Sequence, residues 1–249
     1  MKLTIVIPCL NLWNKFTKPC IDSIRSTHPY RIVLVDNGST DETRDEAGKL
    51  VSAAFQHRRY ETNTGTSRSW NYGIADGFEK GADYVAVLNN DILLHPYCLD
   101  GLVERIGRND VDLVTALDVR CEVAAPEDLF RIAASTKADV TEADHPNFSA
   151  FLLGRRCWEV VGRFDEEFYP AFFEDNDYHY RIQLAGLRAI VYPPAMFYHY
   201  GSRTQYEACN VPLVPSSVFV QNRHYYIRKW GGLPGAEQFR EPFINASHA

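Results

Sequence analysis

Short apolar runs alternate with stretches of helical spacing along the first half of the chain. Leu3 to Ile7 is continuously apolar and ends at Pro8, the pattern of a strand buried on both faces. Phe16, Cys20, Ile21 and Ile24 recur at helical spacing between about Lys15 and Ser26. Arg31 to Val35 is a second buried strand, closed by the turn-forming cluster Asp36-Asn37-Gly38-Ser39-Thr40-Asp41. Glu42 to Ala54 reads as a helix with Thr40 or Asp41 as its N-cap, Gln56 to Tyr60 as a third strand, and Ser67 to Lys80 as a helix. Tyr84 to Leu88 is again apolar throughout. Strand and helix in alternation predict right-handed crossovers and a doubly wound, mostly parallel α/β sheet flanked by helices.

The second half is less regular. A helix is expected from Pro96 to about Gly107, a strand from Val111 to Leu117, and a strand from Phe148 to Leu153. Cys157 to Val161, Phe173 to Ala185 and Ser216 to Trp230 read as helices, and glycine ends each of them. Arg188 to Tyr192 and Met196 to Tyr200 read as two strands. Residues 118–148 carry little periodicity and are expected to form an irregular excursion, with strands flanking a site. No repeat or Ser/Pro-rich linker interrupts the chain. One domain in two halves is expected, 1–117 and 118–249.

Composition sharpens this only modestly. The chain has 249 residues, 45% apolar and 23% charged, which suits a folded globular protein. A net charge of -6 argues against nucleic acid or an anionic membrane as partner. No apolar run approaches the roughly 20 residues of a membrane span, which leaves room only for peripheral membrane association. The first ten residues lack the length and cleavage site of a secretory leader. Six dispersed cysteines form no CxxC pair, so they are expected to be reduced thiols in a cytoplasmic protein.

Candidate chemistry sits where strands end, the edge at which open α/β sheets bind ligands. Asn89-Asn90-Asp91 follows the strand at Tyr84 to Leu88. Asp91 there is either a divalent-metal ligand or the cap of a polar turn. Asp36 closes the second strand and suits a nucleoside hydroxyl or base N–H, or its own turn. Asn63, Gly65 and Asn71 line the next loop and helix start, where close backbone approach and a helix N-terminus favour a negative group. In Phe172-Phe173-Glu174-Asp175-Asn176-Asp177, two aromatics lie beside carboxylates. Apolar surroundings raise a carboxyl pKa towards the range of a general base, although an acidic helix start has the same pattern. His199 ends a short strand, and imidazole suits a transition metal. GxGxxG, GxxxxGK[ST], HExxH and GxSxG are all absent.

The chain resembles the family 2 glycosyltransferases of the GT-A fold, and especially their rhamnosyltransferase-like bacterial branch. The resemblance is carried by Ile5-Val6-Ile7-Pro8, Val35 to Asp41, Asn63-x-Gly65, Asn71-x-Gly73-Ile74 and Leu88-Asn89-Asn90-Asp91. It continues through Val161 to Glu166, Phe173-Glu174-Asp175-x-Asp177, Tyr198-His199 and Tyr225-Tyr226-x-x-Lys229-Trp230-Gly231. It implies a GT-A domain with a small additional antiparallel sheet element. It also implies an inverting enzyme that moves a sugar from a nucleotide-diphosphate donor to a hydroxyl acceptor, a glycan or polysaccharide precursor. In that reading Asp91 and His199 hold Mn2+ or Mg2+, and Asp175 is the general base with Glu174 beside it. Pro8, Asp36, Asn63, Gly65, Asn71, Asn89 and Asn90 bind the donor. Asn89 stands where the family has an aspartate. That departure leaves open a catalytically silent nucleotide-sugar-binding protein, and a third reading is a glycosyltransferase acting on modified DNA bases.

Overall fold

A computed structural model describes residues 1–120, 123, 125–132, 146–201 and 217–244. Eight strands form one sheet: β1 (Leu3–Cys9), β2 (Tyr30–Asp36), β3 (Phe55–Arg59), β4 (Tyr84–Leu88), β5 (Ile92–Leu94), β6 (Leu113–Asp118), β7 (Ala150–Gly154) and β8 (Ala189–His199). Their order is β3-β2-β1-β4-β7-β6-β8-β5. The helices are α1 (Lys18–Ser23), α2 (Thr43–Lys49), α3 (Thr66–Glu79), α4 (Cys98–Ile106), α5 (Arg155–Val161), α6 (Glu174–Leu184) and α7 (Ser217–Trp230). A π-helical turn over Trp13–Thr17 leads into α1.

Strand alternation builds two cores. Leu3, Ile5, Ile7, Leu34 and Leu88 face a layer containing α1, α2 and α4. Val6, Val33, Val35, Val85 and Val87 face α3, α5 and α6 on the other side. Both faces are therefore covered, which is why these strands read as unbroken apolar runs. Helix α3 lies close on β1 because Gly73 faces Val6; an added Cβ there would overlap the valine methyls.

The mostly parallel sheet expected from the sequence is present, with two strands running against it. Strand β7 is antiparallel to both β4 and β6 and sits between them. Strand β5 is antiparallel to the far end of β8, forming the small antiparallel element. The two strands expected at Arg188 to Tyr192 and Met196 to Tyr200 are one strand, β8. Its register with β6 slips between Ala116/Tyr192 and Leu117/Met196, at a bulge that absorbs the two prolines Pro193-Pro194. Within the expected excursion, Pro126–Arg131 forms a 3₁₀ helix. The segment 133–145 and the stretch Ser202 to Pro215 lie outside the described residues. Among the described residues no helix is long and apolar enough to cross a membrane. Cys9, Cys20, Cys98 and Cys157 are buried free thiols.

Candidate active site

A cleft of about 420 Å³ opens where β1, β2 and β4 end. Pro8 and Cys9 come from β1, Asn37 from the turn after β2, and Asn89, Asn90 and Asp91 from the link between β4 and β5. Asn63, Thr66 and Trp70 close one side at the start of α3. The loop 170–173, the first turn of α6 and His199 complete the wall.

Strand pairing brings Asp91 and His199 together. In the β5–β8 ladder Ile92 stands opposite His199, and the amide of Tyr200 donates to the carbonyl of Asp91 at 3.0 Å. The Asp91 Oδ1 and His199 Nε2 atoms are then 3.3 Å apart. Asp118 Oδ2 lies 3.8 Å from the other ring nitrogen, on the far side of the imidazole. The two amides are partly committed to the scaffold. Asn90 Nδ2 donates to Thr17 Oγ1 at 3.0 Å, and at Asn89 it is the backbone N–H that donates to the Ser149 carbonyl at 2.8 Å, continuing the β4–β7 ladder.

Helix α6 starts at the cleft with Glu174 and Asp175. Phe173 precedes it in the left-handed region, φ 71°. The helix N-terminus favours negative charge on these side chains. Burial opposes it at Glu174, which is only 7% exposed. Its Oε2 has no hydrogen-bond partner. Burial, and then the neighbouring Asp175 charge, hold Glu174 well above the usual carboxylate range. Asp175 is half-buried and accepts the Asn176 amide at 2.8 Å through Oδ1. Asp177, one turn in, points away from the cleft and pairs with Arg181 and Lys229.

Three residues expected to bind the donor do not line the cleft as described. Asp36 is fully buried and does not line the cleft. Its Oδ1 accepts the Ser39 amide at 2.8 Å, and Oδ2 faces Arg59 Nε at 3.4 Å and His57 Nε2 at 3.6 Å. Burial acts to raise its pKa, but His57 and Ser39 outweigh it and hold the carboxyl below its usual range. The residue that reaches the cleft from this turn is the next one, Asn37, because successive strand residues face opposite ways. Thr64 and Ser69 orient its amide. Asn71 is buried and spans Phe164 and Glu166, so it ties α3 to the loop before α6. Gly65, at φ +86°, lets the loop at Tyr169 and Pro170 approach; an added Cβ would stand 3.0 Å from Tyr169 Cδ2. Phe172 is one of the two aromatics that the sequence places beside the carboxylates, whereas Trp70 and Phe219 are cleft residues that sequence spacing does not single out. Their apolar pattern is that of core positions.

The described lining contains the carboxyls of Asp91, Glu174 and Asp175 and no lysine or arginine. A diphosphate entering such a cleft meets like charge, which a bound cation would offset. The oxygen of Asp91 and the nitrogen of His199 form a donor set suited to Mn2+ or Mg2+. No group of three His, Cys, Asp or Glu side chains converges as a complete metal cage among the described residues. A hard cation bound through one carboxylate and substrate phosphates fits such a partial site.

The sequence profile of Glycosyl transferase family 2 matches residues 4–135, more than half the chain. The chain belongs to this family. A galactofuranosyl glycosyltransferase of Leishmania donovani is 32% identical over 97 residues, covering 39% of this chain and 22% of that protein. An uncharacterized glycosyltransferase of Nostoc is 29% identical over 114 residues, 45% of this chain and 34% of that protein. The chain thus spans about a third or less of these curated relatives. Solved structures share the GT-A fold at low identity. GalNAc-T7 with UDP, GalNAc and Mn2+ has a TM-score of 0.69 at 16% identity, over 92% of this chain and 48% of that one. A mannosyltransferase of Pyrobaculum calidifontis in complex with GDP-Man and Mn2+ gives 0.59 at 18%, over 90% and 61%. S. aureus TarS 1-349 gives 0.62 at 17%, over 84% and 63%.

Proposed function

We propose that this glycosyltransferase moves a sugar, with inversion, from a nucleoside diphosphate to a carbohydrate hydroxyl. The observation that carries the reading is the convergence of Asp91, His199, Glu174 and Asp175 on one cleft at the carboxyl ends of the strands. Pro8, Asn37, Asn63, Asn89 and Asn90 line the same cleft and supply hydrogen-bonding groups and shape for the donor. Asp91 and His199 would hold Mn2+ or Mg2+, which when bound neutralises charge on the departing diphosphate. Asp175 accepts the proton of the acceptor hydroxyl as its oxygen attacks the anomeric carbon. The bond from that carbon to the phosphate oxygen breaks, and the electron pair leaves with the nucleoside diphosphate. Attack opposite the leaving group inverts the anomeric centre.

An acidic described lining argues against nucleic acid as acceptor, because phosphate backbones need lysine and arginine. We infer a division at about residue 117 into donor and acceptor halves. It is qualified by β7, which the second half contributes between two strands of the first.

The test is a panel of UDP-, GDP- and dTDP-sugars, dTDP-rhamnose included for the rhamnosyltransferase-like branch, assayed for binding and slow hydrolysis with and without Mn2+. One class of donor is expected to bind in a metal-dependent way, and Asp91→Asn to weaken that binding at least tenfold. Binding of no donor in either condition overturns the reading.

A further inference from the structure

The cleft has an aromatic wall that the transfer step does not use. Phe172, in the loop before α6, and Phe219, in the first turn of α7, both line it and remain half-exposed. Their rings meet edge-on, with centroids 5.6 Å apart. Phe219 also tilts onto Phe173 at 5.1 Å. These rings belong to a cluster with Phe168, Tyr226 and Trp230, separate from the two cores that sandwich the sheet.

The loop presenting this wall is held in an uncommon shape. Phe172 and Phe173 take φ values of +81° and +71°, a region that bulky residues rarely adopt. Such outliers persist where the surroundings over-determine them, and they gather at ligand-binding sites. Helix α7 supplies the constraint. Asn222 is buried, and its Nδ2 donates to the Ala171 carbonyl at 2.8 Å, with the Tyr169 and Phe172 carbonyls at 3.2 and 3.3 Å. One side chain thus gathers three carbonyls of the loop. Beside the wall, the carboxyl of Glu174 is more than nine-tenths buried, opens on the same cleft and keeps one oxygen unpartnered.

We propose that Phe172, Phe219 and Glu174 form the saccharide subsite for the acceptor. A pyranose ring has an apolar C–H face and a polar hydroxyl edge. The face packs on the two rings, and one hydroxyl bonds the Glu174 carboxyl where that side chain lines the cleft. Seated this way, a neighbouring hydroxyl is delivered to Asp175, the next residue on α6. The ends of β1 and β2 are assigned to the donor, so a wall built from a different cluster falls to the second reactant. The inference rests on the glycosyltransferase reading of the same cleft.

The experiment compares wild type with Phe219→Ala, Phe219→Tyr and Val220→Ser, the last on an exposed position of the same helix. Methyl α- and β-glycosides of common hexoses serve as acceptor probes, so that no aromatic aglycone contributes. Ligand-observed NMR reads their binding in the presence of Mn2+ and the nucleoside diphosphate of the donor found above. At least one glycoside is expected to bind wild type, Phe219→Tyr and Val220→Ser, and to lose at least tenfold affinity with Phe219→Ala, while the donor Kd moves less than twofold. Where transfer to the glycoside is measurable, Phe219→Ala raises the acceptor KM by a similar factor. The subsite is overturned if no glycoside binds wild type, if Phe219→Ala binds as wild type does, or if the donor Kd shifts in parallel. A protein that binds donor but passes none of these tests loses the subsite alone. One that binds no donor loses the broader reading as well. A melting temperature for each variant separates lost binding from lost folding.

Discussion

At the scale of single residues, two adjacent carboxyls at the start of α6 divide their work by environment. Asp175 is half-buried and bonded to the Asn176 amide, whereas Glu174 is sunk among aromatics with one oxygen unpartnered. Asp175→Asn removes the proposed proton acceptor and is expected to lower transfer about a hundred- to ten-thousand-fold while leaving the donor Kd nearly unchanged. Steady-state kinetics beside calorimetric binding checks both halves. Glu174 carries a pH signature with the opposite sign to an ordinary surface carboxyl. Its folded pKa lies above its unfolded one, so the folded state binds more protons and stability declines as pH rises from about 4.5 towards the folded value. Glu174→Gln removes this dependence. The melting temperature of the variant, relative to wild type, is expected to be higher at pH 8 than at pH 5. A difference independent of pH would refute the assignment.

At the scale of elements, α7 is fastened to the site helix by buried charge. Lys229 Nζ stands 2.6 Å from both Asp165 Oδ2 and Asp177 Oδ1, and Trp230 Nε1 donates to Asp177 at 2.9 Å. Burial acts to raise the Asp165 pKa, but the Lys229 bond and charge outweigh it and leave the carboxyl below its usual range. Lys229→Met leaves Asp165 with only the Tyr225 hydroxyl at Oδ2 and Asp177 with Arg181 and Trp230, and is expected to cost about 3 kcal/mol, read by denaturant unfolding. The loss is largest at neutral pH. It shrinks as pH falls through the carboxylate range, where protonation of Asp165 already forfeits the pair. The same elements explain what sequence patterns expose and what they hide. The spans of β1, β2, β4 and α3 are legible because each carries an unbroken period. The direction of β7 is not, because an apolar run of five residues is the same read either way. Nor does periodicity reveal β5, three residues long, which exists through its pairing with β8.

At the scale of the whole molecule, the proposed function makes donor binding in this acidic cleft depend on a cation. With the Mn2+ complex of the nucleoside diphosphate, taken as one ligand, at about a hundred times its Kd, the chain is expected to gain about 2.7 kcal/mol of stability. EDTA is expected to abolish the accompanying rise in melting temperature. Persistence of the full rise in EDTA would show that protein groups alone neutralise the diphosphate. The covering of the sheet on both sides, by α1, α2 and α4 and by α3, α5 and α6, keeps this cleft at one edge, where strands end and helices begin.

By itself the sequence determined the alternation of strand and helix, the family, and the short list of polar residues at strand ends. Apolar period and turn chemistry are local, so a one-dimensional reading captures them. Tertiary structure decided which of those residues meet. Asp91 and His199 become neighbours only through the β5–β8 ladder. Asp36 turned inward to Ser39, His57 and Arg59, and left the cleft to Asn37. Asn71 and Gly65 turned out to shape the wall rather than line it. Phe219, an apolar residue without a motif, joined Phe172 in the site because α7 folds back on the loop before α6. Which way a side chain faces, and what lies opposite it, depends on pairing between distant segments, and no local pattern encodes that.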